Sequence, residues 1–159
     1  MDKQRVVDRI RAELEAQLAS LTQAAEAAHA AATHPDARAE NQYDTRGLEA
    51  SYLAGAQFGR VRELRSMVST FKFFDPKPQV AGAPIVPGAL VDLSWEGGAG
   101  RYFLAPDGRG LTLVVEGETI QVITPKSPIA AAVLGRLVGD TVEVELRDGI
   151  REYTIDAAH

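Results

Sequence analysis

Hydrophobic positions in the first part of the chain recur at helical spacing. Val7, Ile10, Leu14, Leu18, Leu21, Ala25, Ala28 and Ala32 follow one another at steps of three or four, which places them on one stripe of a long helix. Towards Pro35 the stripe turns to alanine, small enough to let a second helix come close. After Pro35, Leu48, Tyr52, Leu53, Val61, Leu64, Val68 and Phe71 mark a second, rougher stripe, interrupted by Gln57. Up to about residue 74 the sole proline is Pro35, and alanine, glutamate, arginine and leucine dominate, all strong helix formers. Two helices joined by a short turn at residues 33–37 predict an antiparallel coiled-coil hairpin with its tip near residues 33–40. Each arm is roughly 30 residues, on the order of 45 Å at 1.5 Å per residue.

Beyond Pro76 the period changes from helical to alternating. Residues 89–94, 101–104, 112–115, 119–123, 141–146 and 152–155 are strand candidates, with valine, threonine and isoleucine alternating with polar residues most regularly in 141–146. Glu116-Gly117 and Arg147-Asp148-Gly149 supply hairpin turns. Between these strands Ser127 reads as the N-cap of a short helix with Pro128 at its first position. Ile129, Ala132, Val133 and Leu134 are expected on its buried side, and Gly135 ends it. The stretch 75–87 holds four prolines and reads as a linker. The fold class is α+β: a helical hairpin over 1–74, a proline-rich linker over 75–87, and a small, mostly antiparallel sheet domain with one short helix over 88–159.

Composition narrows the function classes. There is no cysteine, which excludes disulfides and thiolate metal sites. Three scattered histidines suggest neither a catalytic nor a zinc centre. A net charge of -5 disfavours indiscriminate nucleic-acid binding. The charged N-terminal stretch lacks a signal-peptide core and no apolar run is long enough to span a bilayer, so the expectation is a cytoplasmic protein with no membrane partner. The exposed alanine stripe favours pairing within one chain, and hence a monomer.

The segment Ile123 to Glu145, with Ser127-Pro128, Leu134-Gly135 and Val138-Gly139-Asp140, resembles the C-terminal signature of the Gre family of bacterial transcription factors. The order of a helical hairpin followed by an FKBP-like sheet resembles that family too. So does the run Asp36 to Tyr43 at the hairpin tip, with an acid, then Glu40-Asn41, then Tyr43. The resemblance implies an accessory factor, not itself an enzyme, whose hairpin enters the secondary channel of bacterial RNA polymerase. There the tip acids Asp36, Glu40 and Asp44 would assist cleavage of a backtracked RNA 3′ end. Asp36 and Glu40 would help hold a Mg²⁺ shared with the polymerase, with no metal bound by the factor alone. Asn41, Tyr43 and Arg46 would meet RNA or polymerase, and Ser127, Pro128, Gly135 and Asp140 would lie in the domain that docks near the channel mouth. No prolyl isomerase activity is implied.

Two features keep other readings open. The family tip usually spaces Asp and Glu three apart, whereas Asp36 and Glu40 lie four apart. An inhibitor or regulator that occupies the channel without stimulating cleavage is therefore one alternative, and a coiled-coil interaction module with an FKBP-like domain is another. Asp36 after Pro35 also reads as a helix cap, and Glu40 with Asp44 as first-turn acids set against the helix dipole. Arg60, Arg62 and Arg65, with Arg5, Arg9 and Arg11 near the start of the first helix, fit RNA or an acidic polymerase surface, but the favoured reading is a solvated coiled-coil face paired with Glu13, Glu15 and Glu63. Trp95, Tyr102 and Phe103 are candidates for a patch or for core. Phe71, Phe73 and Phe74 are expected to join the helices to the sheet.

Overall fold

The protein is described by a computed structural model over residues 2–34, 45–108 and 110–159, with the side chain of Arg46 excepted. The elements are α1 (Lys3–Thr33), α2 (Arg46–Phe73), β1 (Leu90–Trp95), β2 (Gly98–Leu104), β3 (Thr112–Val115), β4 (Glu118–Ile123), α3 (Pro128–Val133), β5 (Thr141–Leu146) and β6 (Gly149–Ala158). They sort into two compact units, one of residues 11–69 and one of residues 1–10 with 70–159. The order of long helices and then a sheet with one short helix is the α+β class expected.

In the helical unit, α1 keeps the expected stripe. Leu14 and Ala25 are buried, and Leu18, Leu21, Ala28 and Ala32 are half-buried along the same line. His29, late in α1, meets Phe58, in the first half of α2, edge to face at 6.1 Å, as an antiparallel pairing requires. The stripe expected on α2 is corrected. Leu48, Tyr52 and Leu53 are exposed, Tyr52 to 73%, whereas Val68 is half-buried and Val61, Leu64 and Phe71 are buried as expected. The inward face runs instead through Gly47, Ala50, Ala54, Gln57, Val61 and Leu64. The arms are close enough that small residues face inward, so the large side chains of this stretch have no room there and turn out. Gln57 lies on the inward face and does not interrupt it, and its Oε1 is buried with no hydrogen-bond partner among the described residues.

The sheet unit is a six-stranded sheet of order β3-β4-β2-β1-β6-β5, antiparallel throughout except for the parallel β2–β4 pair. One face packs under α3 through Val91, Leu93, Tyr102, Leu104, Val142, Val144, Tyr153 and Ile155. Alternation sends Leu90 and Phe103 to the opposite face. Phe103 meets Phe74 edge to face at 6.5 Å, and Phe74 meets Phe71 at 6.1 Å. Val6, Val7 and Ile10 of α1 are fully buried in the same unit. Phe71 and Phe74 therefore act as expected, but Phe73 is corrected: it is 79% exposed, being two residues past Phe71 on a helix and so turned to the other side.

The ends of α1 and of the strands are tied together here. Lys3 Nζ donates to the carbonyls of Lys77 and His159, and Arg5 pairs with Glu116. Within the proline-rich stretch Ile85 is buried, and it exchanges two backbone bonds with the turn after α3: its N–H donates to Arg136 O and its carbonyl accepts from Gly135 N, both at 2.8 Å. The turn Val115-Glu116-Gly117-Glu118 has positive φ at both central residues, the geometry whose twist suits adjoining strands.

Candidate functional site

Two regions carry the residues singled out from the sequence. The first is the hairpin tip. Asp36, Glu40, Asn41, Tyr43 and Asp44 lie outside the described residues, so their placement rests on sequence. On its near side α2 begins at Arg46, and Thr45 Oγ1 donates to Glu49 Oε1 at 2.9 Å while Glu49 N–H donates to Thr45 O. The helix start is thus held by a threonine and by an acid in its first turn, where negative charge is favoured.

Arg60, Arg62 and Arg65 are all exposed on α2. At 100° per residue Arg62 and Arg65 share a face, and Arg60 lies on another. None of the three makes an ion pair among the described residues, whereas Arg11 pairs with Glu15 at 4.0 Å. Their exposure fits the solvated helix face expected, while an ion pair from Arg60, Arg62 or Arg65 to Glu13, Glu15 or Glu63 is absent among the described residues. Three exposed guanidiniums with no ion-pair partner among the described residues leave their charge available to phosphate or carboxylate.

The second region is α3 and the turn after it. Ser127 Oγ accepts from Ala130 N–H at 3.2 Å, and Pro128 occupies the first helical position, where its missing N–H costs nothing. The buried side of α3 is Ala130 and Val133. Ile129, Ala132 and Leu134 pack partly buried around them, so the expected set lacked Ala130, which the cap geometry turns directly onto the sheet. Gly135 has φ 78°, a left-handed conformation that ends the helix at little cost for glycine. Asp140 Oδ2 accepts from Leu137 N–H at 2.9 Å, and the Asp140 backbone bonds to Ile155, which seats the turn where β5 begins. All four residues expected at a docking surface thus build one compact corner. Their local jobs are caps and turns, and Leu137 and Val138 stand exposed between them.

One further polar constellation escaped the sequence. Asp92 and Arg101 are cross-strand partners on β1 and β2, joined by two bonds of 2.5 and 2.9 Å, with Glu118 at 3.9 Å from Arg101 and His159 at 3.6 Å from Asp92. The bond from Arg101 holds the Asp92 carboxyl below the usual carboxylate range, against the opposing effect of burial. A paired Asp and Arg of this kind pins two strands. It is not a metal centre, and among the described residues no group of three or more His, Asp or Glu is placed to hold a cation.

An α+β chain with a long helical pair and this α3 corner defines a narrow class, and comparison with known proteins identifies it. Residues 107–159 match the family described as transcription elongation factor, GreA/GreB, C-terminal. Over 130 residues the chain is 30% identical to the transcription elongation factor GreA of Xylella fastidiosa strain M12, covering 80% of this chain and 75% of that one. It is 33% identical over 104 residues to GreA of Verminephrobacter eiseniae, covering 62% of this chain, and there it spans only 60% of the relative's length. Against the crystal structure of GreA factor homolog 1 of Thermus thermophilus the identity is 22%, over 95% of each chain, with a TM-score of 0.38. On the strength of the sequence relatives, the chain belongs to the GreA/GreB family of transcription elongation factors.

Proposed function

We propose that the chain is an accessory factor of bacterial RNA polymerase that enters the secondary channel with its helical hairpin and stimulates cleavage of backtracked RNA. The observation that carries this reading is the family membership extending across both halves of the chain, with 80% of its length aligned to one GreA. The long paired helices of α1 and α2 and the exposed Arg60, Arg62 and Arg65 support it. In this reading the factor has no active centre of its own.

The tip residues fit a shared Mg²⁺ by the chemistry of their donors. Asp36, Glu40 and Asp44 offer hard carboxylate oxygens, which Mg²⁺ prefers, and one or two of them suffice where other ligands come from elsewhere. When bound, such an ion activates water and stabilises the leaving oxygen. Asp36 and Glu40 would hold it, while Asn41 and Tyr43 would position the RNA end by hydrogen bonding and stacking. Arg46 would neutralise a neighbouring phosphate. Ser127, Pro128, Gly135 and Asp140 would keep the α3 corner rigid enough to dock.

The four-residue spacing of Asp36 and Glu40 favours one competing reading, a channel-binding inhibitor. One experiment separates the two. The chain is added to a defined backtracked elongation complex with Mg²⁺, and RNA length is followed for the parent and for Asp36→Ala, Glu40→Ala and Asp44→Ala. Rapid shortening, reduced tenfold or more by at least one substitution, is expected of a cleavage factor. Binding with slowed synthesis and no shortening would make the chain an inhibitor, and absence of binding would overturn both readings.

A further inference from the structure

Strands β1 and β6 are paired from Val91↔Ala158 to Ser94↔Thr154 and no further. Beyond that point each keeps its other neighbour, β1 with β2 down to Trp95↔Gly98 and β6 with β5 down to Leu146↔Gly149. The two hairpins splay, leaving a cleft of about 500 Å³ with Ser94, Trp95 and Glu96 on one wall and residues 150–152 on the other.

The inner edge of β6 in this cleft is free of a strand. Leu146 and Gly149 close a two-residue turn and so exchange hydrogen bonds. By the period of two, Arg151 and Tyr153 also turn their backbone groups towards β5. Ile150 and Glu152 consequently present N–H and C=O to the cleft, where no strand among the described residues takes them up. An unpaired edge facing a gap is a template for an added extended chain.

The side chains specify what kind of chain. Trp95 is partly buried against Tyr153, with ring centroids 5.4 Å apart, so one face of the cleft offers an apolar seat, while alternation puts Ile150, 73% exposed, on the other face with Glu152. Arg151 is already engaged, over the Trp95 ring at 5.8 Å and with Asp148 at 3.1 Å. The remaining charge is acidic. Glu96 and Glu152 stand exposed at the rim, and Glu143 lies directly opposite Glu152 in the β5–β6 register. Like charges opposed across a ladder cost stability, and none of the three acids has an ion-pair partner among the described residues. The wider field agrees. The folded unit of residues 1–10 and 70–159 holds fourteen Asp and Glu against eleven Lys and Arg, a net charge of -3, and eleven of those acids against six of the bases lie in residues 88–159. Such a field repels phosphate and draws cationic side chains.

We propose that the cleft between the β1–β2 and β5–β6 hairpins binds an extended, Lys- or Arg-bearing segment of a partner protein, which pairs with the inner edge of β6 at Ile150 and Glu152. The proposal stands or falls independently of any action on polymerase. Trp95 is the chain's single tryptophan, so its fluorescence reports on this cleft alone. The full chain is titrated with a blocked peptide alternating lysine and valine, with its glutamate-valine counterpart, and with a single-stranded oligonucleotide. The lysine peptide alone is expected to shift the emission saturably, more weakly as salt rises. Glu152→Lys is expected to lower its affinity roughly tenfold. Ile150→Pro removes an N–H that faces the cleft and leaves the β5 ladder intact, and a similar loss is expected, with circular dichroism checking that both variants keep the fold. Equal response to both peptides, response to the oligonucleotide, no response at all, or undiminished affinity in Glu152→Lys would overturn the proposal.

Discussion

At the scale of single residues, the Asp92–Arg101 pair makes the clearest energetic statement. The Asp92 pKa is lower in the folded chain than in the unfolded one, chiefly through the hydrogen bond from Arg101. Its contribution is therefore complete above the ordinary carboxylate value of about 4 and is lost as pH falls through that value and then through the lower folded one. Asp92→Asn is expected to shrink the drop in Tm between about pH 6 and about pH 3. A drop equal to that of the parent would mean that the pair contributes nothing measurable. The half-exposed surroundings keep the effect small, about 1 kcal/mol or less. Sequence patterns had no access to this pair, because it is made by register across a turn, and Asp92 and Arg101 each look like an ordinary outward strand position.

At the scale of elements, the short helix and most strands were legible. Ser127-Pro128 and Gly135 carry their own conformational instructions, and residues 141–146 alternate strictly. The inward face of α2 was not legible, because a search for large apolar side chains picks Leu48, Tyr52 and Leu53 and passes over Gly47, Ala50 and Ala54. Close helix pairing favours the small residues, and only the partner surface on α1, itself rich in alanine, gives that away. The same helix holds Gly55 and Gly59 in its interior, and a Cβ at either would meet nothing within 4 Å. Among the described residues no close packing demands glycine at either position, while each costs up to about 1 kcal/mol of helix stability relative to alanine. The double variant Gly55→Ala with Gly59→Ala is expected to raise the Tm and to slow amide exchange along α2. Unchanged exchange there would show that the helix is already held rigid by its pairing. The tip acids stand differently again: they lie outside the described residues, and their roles rest on spacing and resemblance.

At the scale of the whole molecule, the change of period near Pro76 divides the sequence cleanly, but folding does not follow that division. The first ten residues and residues 70–74 cluster with the sheet. Val6, Val7, Ile10 and Phe71 are fully buried, and Phe74 covers Phe103. A fragment of residues 88–159 would lose these side chains, at about 1.5–3 kcal/mol each, which is comparable with the whole stability of a small domain. It is expected to bind a hydrophobic dye and to melt without a sharp transition, whereas the full chain melts cooperatively. A cooperative, dye-free fragment would show that the sheet closes its own core. Helical and strand grammar are local, and this shared core is not, which is why the periodicity alone points to a boundary that the packing crosses.

The strand order has a consequence for the chain as it is synthesised. β1 sits inside the sheet between β2 and β6, so one of its edges finds its neighbour within a few residues and the other waits for the last strand to be made. Residues 1–10 wait equally long for the rest of their unit, while residues 11–69 hold everything they need much earlier. On the ribosome the paired helices have time to form first, while the apolar residues of the sheet unit still lack their cover. The sheet unit closes only when β6 arrives, so a pause late in translation would leave the most aggregation-prone surface of this protein exposed for longest.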